Sequence, residues 1–290
     1  MSDFDYGEMT TRNRGFVTRV EQERLRDARV FIPGVGGMGG AAFMALVRAG
    51  VGSFIIADID VFEVSNLNRQ LFSRADTIGR PKVEAARDLA LEINPGLDIE
   101  VLNGTWVDEL DRILPSVAVA INGTDDAAAG AQLYRKAREH RRALIDAYAS
   151  PLPSVTVVRP DDPRIEDRLG YPTRGVAWTD IDREMAVECL MLEIEYVLTH
   201  SSSHKYVDLD VAAEVAQGKR SRFSFSTMVT MAGTMMAEEA VRVILGRPGG
   251  VDYRGYFFNT HAGKVERPLP APIAAVKRAL VRRFMKKLMA

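Results

Sequence analysis

Five of the seven residues from Gly34 to Gly40 (Gly-Val-Gly-Gly-Met-Gly-Gly) are glycine, and they lie between a short apolar run, Arg29–Pro33, and a stretch with helical spacing, Ala41–Ala49. No other feature of the chain limits its fold so strongly. Glycine reaches positive φ without steric penalty and lets a second backbone or an anion come close. Placed before a helix, such a turn leaves N–H groups exposed at the positive end of the helix dipole. Gly50 reads as the C-cap of that helix, and Phe54–Ala57 as a buried strand ending at Asp58. Strand, glycine turn, helix and strand make a βαβ unit, whose two strands are parallel.

The alternation continues. Val20–Asp27 is polar and helix-prone, and Lys82–Ile93 reads as a helix stopped by Asn94-Pro95-Gly96. Asp98–Leu102 reads as a strand, Ser116–Ile121 (SVAVAI) as a buried strand, and Ala127–His140 as a helix. Ala143–Ile145 and Ser154–Val158 follow as strands. This order predicts an α/β fold with a doubly wound, Rossmann-like, mainly parallel sheet, continued by a mixed C-terminal half.

In that half, Arg159–Asp180 is rich in Pro, Asp, Arg and Gly and is expected as an exposed loop. Arg183–Leu198 is predicted helical, with a solvated break at His200–Ser203, and Val207–Gln217 as a further helix. Phe225–Leu245 has a long Met-rich helical pattern that must be buried in a core or a subunit interface, and Tyr256–Phe258 suggests a late strand. We expect one domain over 1–270, with a nucleotide-binding half at about 20–150 and an acceptor-binding and dimer half at about 151–270. A basic amphipathic helix over 271–290 comes last. There Val276, Leu280, Phe284 and Leu288 recur every fourth residue among Lys277, Arg278, Arg282, Arg283, Lys286 and Lys287, with no acid. The apolar stripe is expected to dock on the core; an anionic membrane surface or an acidic partner is the alternative.

Composition narrows the function classes. A chain of 290 residues, 47% hydrophobic, can bury a large α/β core, and a net charge of −1 gives no global pull toward nucleic acid or membrane. The single cysteine, Cys189, excludes an internal disulfide and a multi-cysteine zinc site, so no zinc is expected. The polar, acidic N-terminal stretch is unlike a signal peptide, and no apolar run approaches the ~20 residues of a membrane helix. The expectation is a cytoplasmic protein with no transmembrane segment and no nucleic-acid partner.

The chemistry is carried by the residues C-terminal to the glycine turn. Asp58, ending the second strand, can accept hydrogen bonds from ribose hydroxyls. Alone, this fits NAD, FAD or ATP. The next segment is more specific: Asp58-Ile59-Asp60, then Ser65-Asn66-Leu67-Asn68-Arg69-Gln70, then Gly79-Arg80-Pro81-Lys82. Hydride transfer has no use for an Asn, an Arg and a Lys here, whereas a triphosphate does: Arg offers a planar fork to phosphate oxygens and Lys a point charge. Nucleotidyl transfer also needs a carboxylate for Mg²⁺, and Asp125, in Gly123-Thr124-Asp125-Asp126 after the SVAVAI strand, is the candidate.

Taken in this order and spacing, these segments resemble the ThiF/HesA/MoeB family, relatives of the ubiquitin-activating enzymes. The motif matches run over roughly 12–126, with weaker similarity beyond. The resemblance implies a homodimer that binds ATP and Mg²⁺ and adenylates a carboxylate acceptor, commonly the C-terminus of a small carrier protein, or a peptide. It implies that Gly34, Gly36, Gly37 and Gly39 face the α-phosphate and adenosine. Asp58, with Asp60, would belong to the nucleotide site and hold ribose, Asn66, Arg69 and Lys82 would contact phosphates, and Asp125 would hold Mg²⁺. Arg14, in Arg12-Asn13-Arg14-Gly15, matches an arginine that reaches into the partner subunit's site. The implied catalytic set is Arg14, Arg69, Lys82 and Asp125.

The chain departs from the family pattern in three places. It lacks the CxxC pairs that bind zinc, Pro33 precedes the first glycine, and the stretch before Thr124 reads Ile121-Asn122-Gly123 where an acid is common. Cys189 lies in an apolar helical context, where a thiol is normally inert, so a thioester step through it is not expected. Two other classes stay open at this level: an NAD(P)-dependent oxidoreductase, on the glycine turn and Asp58 alone, and a non-catalytic nucleotide- or partner-binding module. The loops at Arg159–Asp180 and His200–Phe223 are expected to shape the acceptor pocket.

Overall fold

The apolar runs pair as their order requires. In a computed structural model describing residues 4–216, 219, 220 and 222–289 (the side chains of 216, 288 and 289 excepted), one sheet runs through both halves of the chain. Strands β1 (Arg29–Pro33), β2 (Ser53–Ala57), β3 (Asp98–Leu102), β4 (Val119–Ile121) and β5 (Leu144–Asp146) are parallel. Strands β6 (Ser154–Val158), β7 (Tyr256–Asn259) and β8 (Lys264–Glu266) add on antiparallel. The order is β3-β2-β1-β4-β5-β6-β7-β8. From β1 the chain goes to β2 and β3 on one side, then returns to β4 on the other. In open α/β sheets, that reversal opens a crevice at the C-terminal ends of the strands.

The connecting helices are α1 (Tyr6–Met9), α2 (Arg19–Asp27), α3 (Met38–Ala49), α4 (Lys82–Ile93), α5 (Leu110–Ser116), α6 (Ala127–Glu139), α7 (Ile165–Leu169), α8 (Arg183–His200), α9 (Leu209–Ala216), α10 (Ser226–Leu245) and α11 (Ala271–Met289). Successive side chains of β1 part to opposite faces. Val30 and Ile32 pack with Phe43 and Leu46 of α3, Ala86 of α4 and Met236 of α10. Phe31 packs with Trp106, Leu110, Leu133 and Tyr134. With both faces covered, the strands read as continuous apolar runs. Phe43 and Phe54, both fully buried, meet edge-on at 4.8 Å, and each contributes roughly 1.5–3 kcal/mol through burial. The Met-rich pattern is therefore core on one side: Gly233 of α10 crosses α3 so closely that a Cβ would lie 2.6 Å from Ala41 Cβ. Among the described residues no helix is long and apolar enough to cross a membrane.

Four sequence expectations are corrected. Within Ser116–Ile121 only Val119–Ile121 is strand; Leu110–Ser116 is a helix despite Pro115, and pairing with β1 begins at Val30–Val119. Arg159–Asp180 is not simply exposed loop. It contains α7 and a short 3₁₀ turn, Trp178–Asp180, and is anchored to α6 by Arg135, which donates to the buried Glu166 at 2.6 and 3.1 Å and to the Thr173 and Val176 carbonyls. His200–Ser203 is not solvated either: α8 runs through His200, whose Nδ1 accepts from the Leu269 N–H at 3.0 Å, and Ser201 and Ser203 are buried. Finally, α11 docks on α8 through Ala274, Val281 and Met285, while Val276, Leu280 and Phe284 face solvent. Pairing of Arg278 and Arg282 with Glu195 of α8 sets that rotation. Gln217, Ala290 and the Leu288 side chain lie outside the described residues.

Candidate functional site

The crevice between β1 and β4 is built from backbone. Gly34 follows β1 with φ +88°, and a Cβ there would run into the backbone of Gly123, which follows β4, and lie 2.7 Å from Thr124 N. A Cβ on Gly39 would strike the Gly34 carbonyl and come within 3.1 Å of Gly123 Cα. The two turns touch with no side chain between them. Helix α3 begins at once, with Gly37 as its N-cap and no side chain capping it. Its first N–H groups are thus left for an external acceptor, an arrangement suited to phosphate.

Asp58, at the end of β2, spans two turns. Its carboxylate accepts from the Val35 N–H and the Asp60 N–H, both at 3.0 Å, so it ties the glycine turn to the loop after β2. Burial raises its pKa from the usual carboxylate range. Lys82 is brought alongside because Gly79–Lys82 zips onto Asp60–Phe62: Phe62 N donates to Arg80 O, Gly79 N to Phe62 O and Lys82 N to Asp60 O. The nearly buried Lys82 ammonium donates to Asp60 Oδ2 at 2.7 Å. Sequence neighbours of no obvious kinship, DIDVF and GRPK, thereby form one charged wall.

The other expected residues divide. Asn66 is buried and its Oδ1 accepts from the Glu63 N–H at 3.1 Å, so it shapes the loop whatever else it does. Arg69 is held half-exposed by Ser65 O and Asn68 Oδ1 at 2.9 and 2.8 Å. Asp125 is exposed just past β4 and has no hydrogen bond or ion pair among the described residues; its neighbour Asp126 instead caps α6. At ~4.8 Å between strands, the ends of β2 and β4 stand roughly 10 Å apart across β1. Arg14 is not brought to this crevice. It lines a cleft of about 640 Å³ together with Gly52 and Gly96, which precede β2 and β3, at the opposite end of the sheet.

Other residues near the site are given no role by the sequence. Gln70 is buried against Gly36 with Oε1 unpartnered among the described residues, and its place beside Arg69 is all that marks it in the sequence. Asn122 donates to Asp146 Oδ2 at 2.9 Å, and Tyr134 donates to the same oxygen at 2.7 Å. Burial raises the Asp146 pKa, so an acid at 122 would face a second buried carboxylate. The amide resolves that conflict. Pro33 costs little because pairing between β1 and β4 ends at Phe31–Ala120, and its carbonyl still accepts from Gly123 N at 2.9 Å. Cys189 is buried beside Thr173, and desolvation pushes its thiol up to about 11.

The sequence profile of the ThiF family matches residues 10–277. The molybdopterin-synthase adenylyltransferase of Escherichia coli is 38% identical over 138 residues, covering 46% of this chain and 55% of that protein. The chain thus spans about half the length of the curated relatives it matches. Among solved structures, PaaA superposes with a TM-score of 0.61 at 18% identity, covering 92% of this chain and 77% of that one. Escherichia coli MccB, solved with ATP, gives 0.62 at 17% identity, covering 86% and 66%. These likenesses confirm the fold.

Proposed function

This chain belongs to the ThiF family, and from that membership we propose that it is an ATP-dependent adenylyltransferase, activating a carboxylate as its acyl-adenylate. The supporting observation is the convergence on one crevice of the uncapped α3 N-terminus, the Asp58–Asp60–Lys82 wall and Asp125, which has no partner among the described residues. The glycine cradle fits phosphate, and the exposed Asp125 carboxylate fits Mg²⁺, a hard cation that takes oxygen ligands. Gly34, Gly36, Gly37 and Gly39 would receive the α-phosphate and adenosine, Asp58 the ribose, and Asn66, Arg69 and Lys82 the phosphates. Mg²⁺ would supply charge neutralisation on the phosphates.

The chemistry asks little acid–base work of the protein. An acceptor carboxylate is ionised near neutral pH. One of its oxygens attacks the α-phosphorus, the bond to the bridging oxygen breaks, and pyrophosphate carries away the charge. Lys82 would exchange Asp60 for a phosphate oxygen, and Arg69 would meet the leaving group. The acceptor is a carrier-protein C-terminus, a peptide or a small carboxylate; MccB has been solved with MccA. Arg14, exposed at the far end of its own sheet, would serve a second copy, which makes the working unit a homodimer.

ATP–pyrophosphate exchange with Mg²⁺ and a panel of carboxylates is the test. Exchange that depends on one acceptor and disappears in Asp125→Ala supports the reading; binding of NAD but not ATP overturns it. Mixing inactive Arg14→Ala and Asp125→Ala proteins should restore activity to about a quarter of the sites if Arg14 acts across a two-fold dimer.

A further inference from the structure

Helix α11 has two apolar faces, and the protein body covers one. Ala274, Val281 and Met285 are buried, Arg278 and Arg282 pair with Glu195, and Lys277 donates to the Ser201 carbonyl at 3.1 Å. On a neighbouring face, about 115° round the helix, Ile273, Val276, Leu280 and Phe284, spaced three, four and four residues apart, form a ridge that is 57%, 67%, 63% and 37% exposed. At 1.5 Å per residue it runs about 16 Å along the helix. Arg283, Lys286 and Lys287 stand beside it, and none has an ion-pair partner among the described residues.

Charge decides among occupants. The whole chain carries −1 and α11 carries six cations with no acid, which leaves −7 on the remainder. A second copy's α11 would bring six like charges against the first, so homotypic pairing is opposed. An anionic surface is attracted to this cationic helix and not to the net-acidic remainder of the chain. The ridge is the convex edge of a single helix, and its lysines can lay their stems along apolar surface while the ammonium groups reach outward. That suits mobile headgroups over acyl chains better than a rigid complementary groove.

We propose that α11 is a peripheral membrane-binding element. The Ile273–Phe284 ridge lies in the interface of an anionic bilayer, and Arg283, Lys286 and Lys287 engage its headgroups. Four apolar side chains make the attachment reversible, and the docked face keeps the helix on the body while the ridge is inserted. The proposal is independent of the adenylation reading.

Sedimentation of the full chain with phosphatidylcholine vesicles, and with vesicles that also contain phosphatidylserine, tests this. The chain should pellet with the second kind alone, less so as salt rises. Leu280→Glu with Phe284→Glu should abolish pelleting. Replacing Arg283, Lys286 and Lys287 by Ala should weaken it by about two orders of magnitude, each cation near an anionic surface being worth about fivefold. Because these side chains are exposed, the melting temperature should stay within a few degrees of wild type, and Val276→Trp should show an emission blue shift on the anionic vesicles. No pelleting, equal pelleting with both vesicles, or pelleting indifferent to the ridge substitutions overturns the proposal. Capture of an acidic amphipathic peptide by the ridge, without vesicle binding, would reassign it to a protein partner.

Discussion

The two halves of the sheet are positioned by different forces. Around β1–β5 backbone lies against backbone: Gly34 on Gly123, Gly39 on Gly34, Gly52 on the Arg26 carbonyl. From α6 onward, apart from Gly255 set against the Val155 carbonyl, polar side chains tie the segments together. Arg135 grips Glu166, Glu193 accepts from the Ala149 N–H at 2.5 Å, and Glu266 binds Ser202 and Asn259. Backbone contact dictates a residue type, because only glycine fits. A side-chain pair dictates only that a partner exists somewhere. The first half is therefore chemically narrow, while the second can change shape by exchanging pairs, which suits the half we assign to the acceptor.

The sharpest way to break that comparison is Gly34→Ala. The new methyl would collide with the Gly123 backbone at a residue whose φ is +88°. Neither side is a flexible side-chain end, so relief means parting β1 from β4. We expect a loss of about 4 kcal/mol or more, roughly 10 °C in melting temperature, together with loss of ATP binding. Calorimetry on this variant would refute the backbone-contact account if both stability and ATP affinity were retained.

Arg135→Ala attacks the other half. It leaves Glu166, only 1% exposed, without its two contacts to Arg135, although the Thr173 hydroxyl at 2.8 Å and Arg164 at 3.6 Å stay. The cost should be about 2–4 kcal/mol in denaturant unfolding. Residues 159–180 should become protease-sensitive, while ATP affinity changes less than about threefold because the glycine turns do not depend on this pair. Equal losses of ATP binding and stability would show that the halves are not separable in this way.

The same contrast explains how much of the molecule is legible in its sequence. Lys82–Ile93 and Asp98–Leu102 are legible to the residue, since period and terminators agree. The SVAVAI run misleads because alternating Val and Ala does not reveal that Ser116 closes a helix, its hydroxyl donating to the Ile113 carbonyl. At the site, the motif residues Asp58 and Lys82 stand out, but not that Lys82 sits on Asp60, a pairing that needs the zipper between two loops. The anchoring of Arg159–Asp180 is hidden for a simpler reason. Arg135 lies on a helix whose pattern shows a solvated charge there, and nothing local marks its partner as buried. The outward turn of Val276, Leu280 and Phe284 is hidden likewise, because periodicity finds a stripe without saying what it faces.

A smaller effect comes from Glu193. Burial, with Asp146 nearby, pushes its carboxyl up to about 7 from the usual 4.5. Between those values the folded state keeps a proton that the unfolded chain has released. Stability from this group is therefore fully present below about 4.5, declines as pH rises through about 7, and is level above. Glu193→Gln keeps an oxygen acceptor for the Ala149 N–H and should flatten this slope, gaining on the order of 1–3 kcal/mol above neutrality. Urea titrations at a series of pH values decide it: an unchanged slope in the variant assigns the pH dependence elsewhere.

The smallest expected effect is the most diagnostic for what the second half does. Cys189 is buried on α8, and at a pKa of about 11 its thiol is almost wholly protonated at neutral pH. A nucleophilic cysteine needs the reverse, an exposed thiol in electropositive surroundings. Cys189→Ala should cost about 1 kcal/mol for the small cavity and leave pyrophosphate exchange and acceptor turnover within about twofold of wild type. A thiol reagent should label the wild-type chain only in denaturant. If acceptor turnover collapsed while exchange persisted, the second half would carry a covalent step of its own. The division between a chemical half and a shaping half would then be wrong, even with the proposed nucleotide site intact.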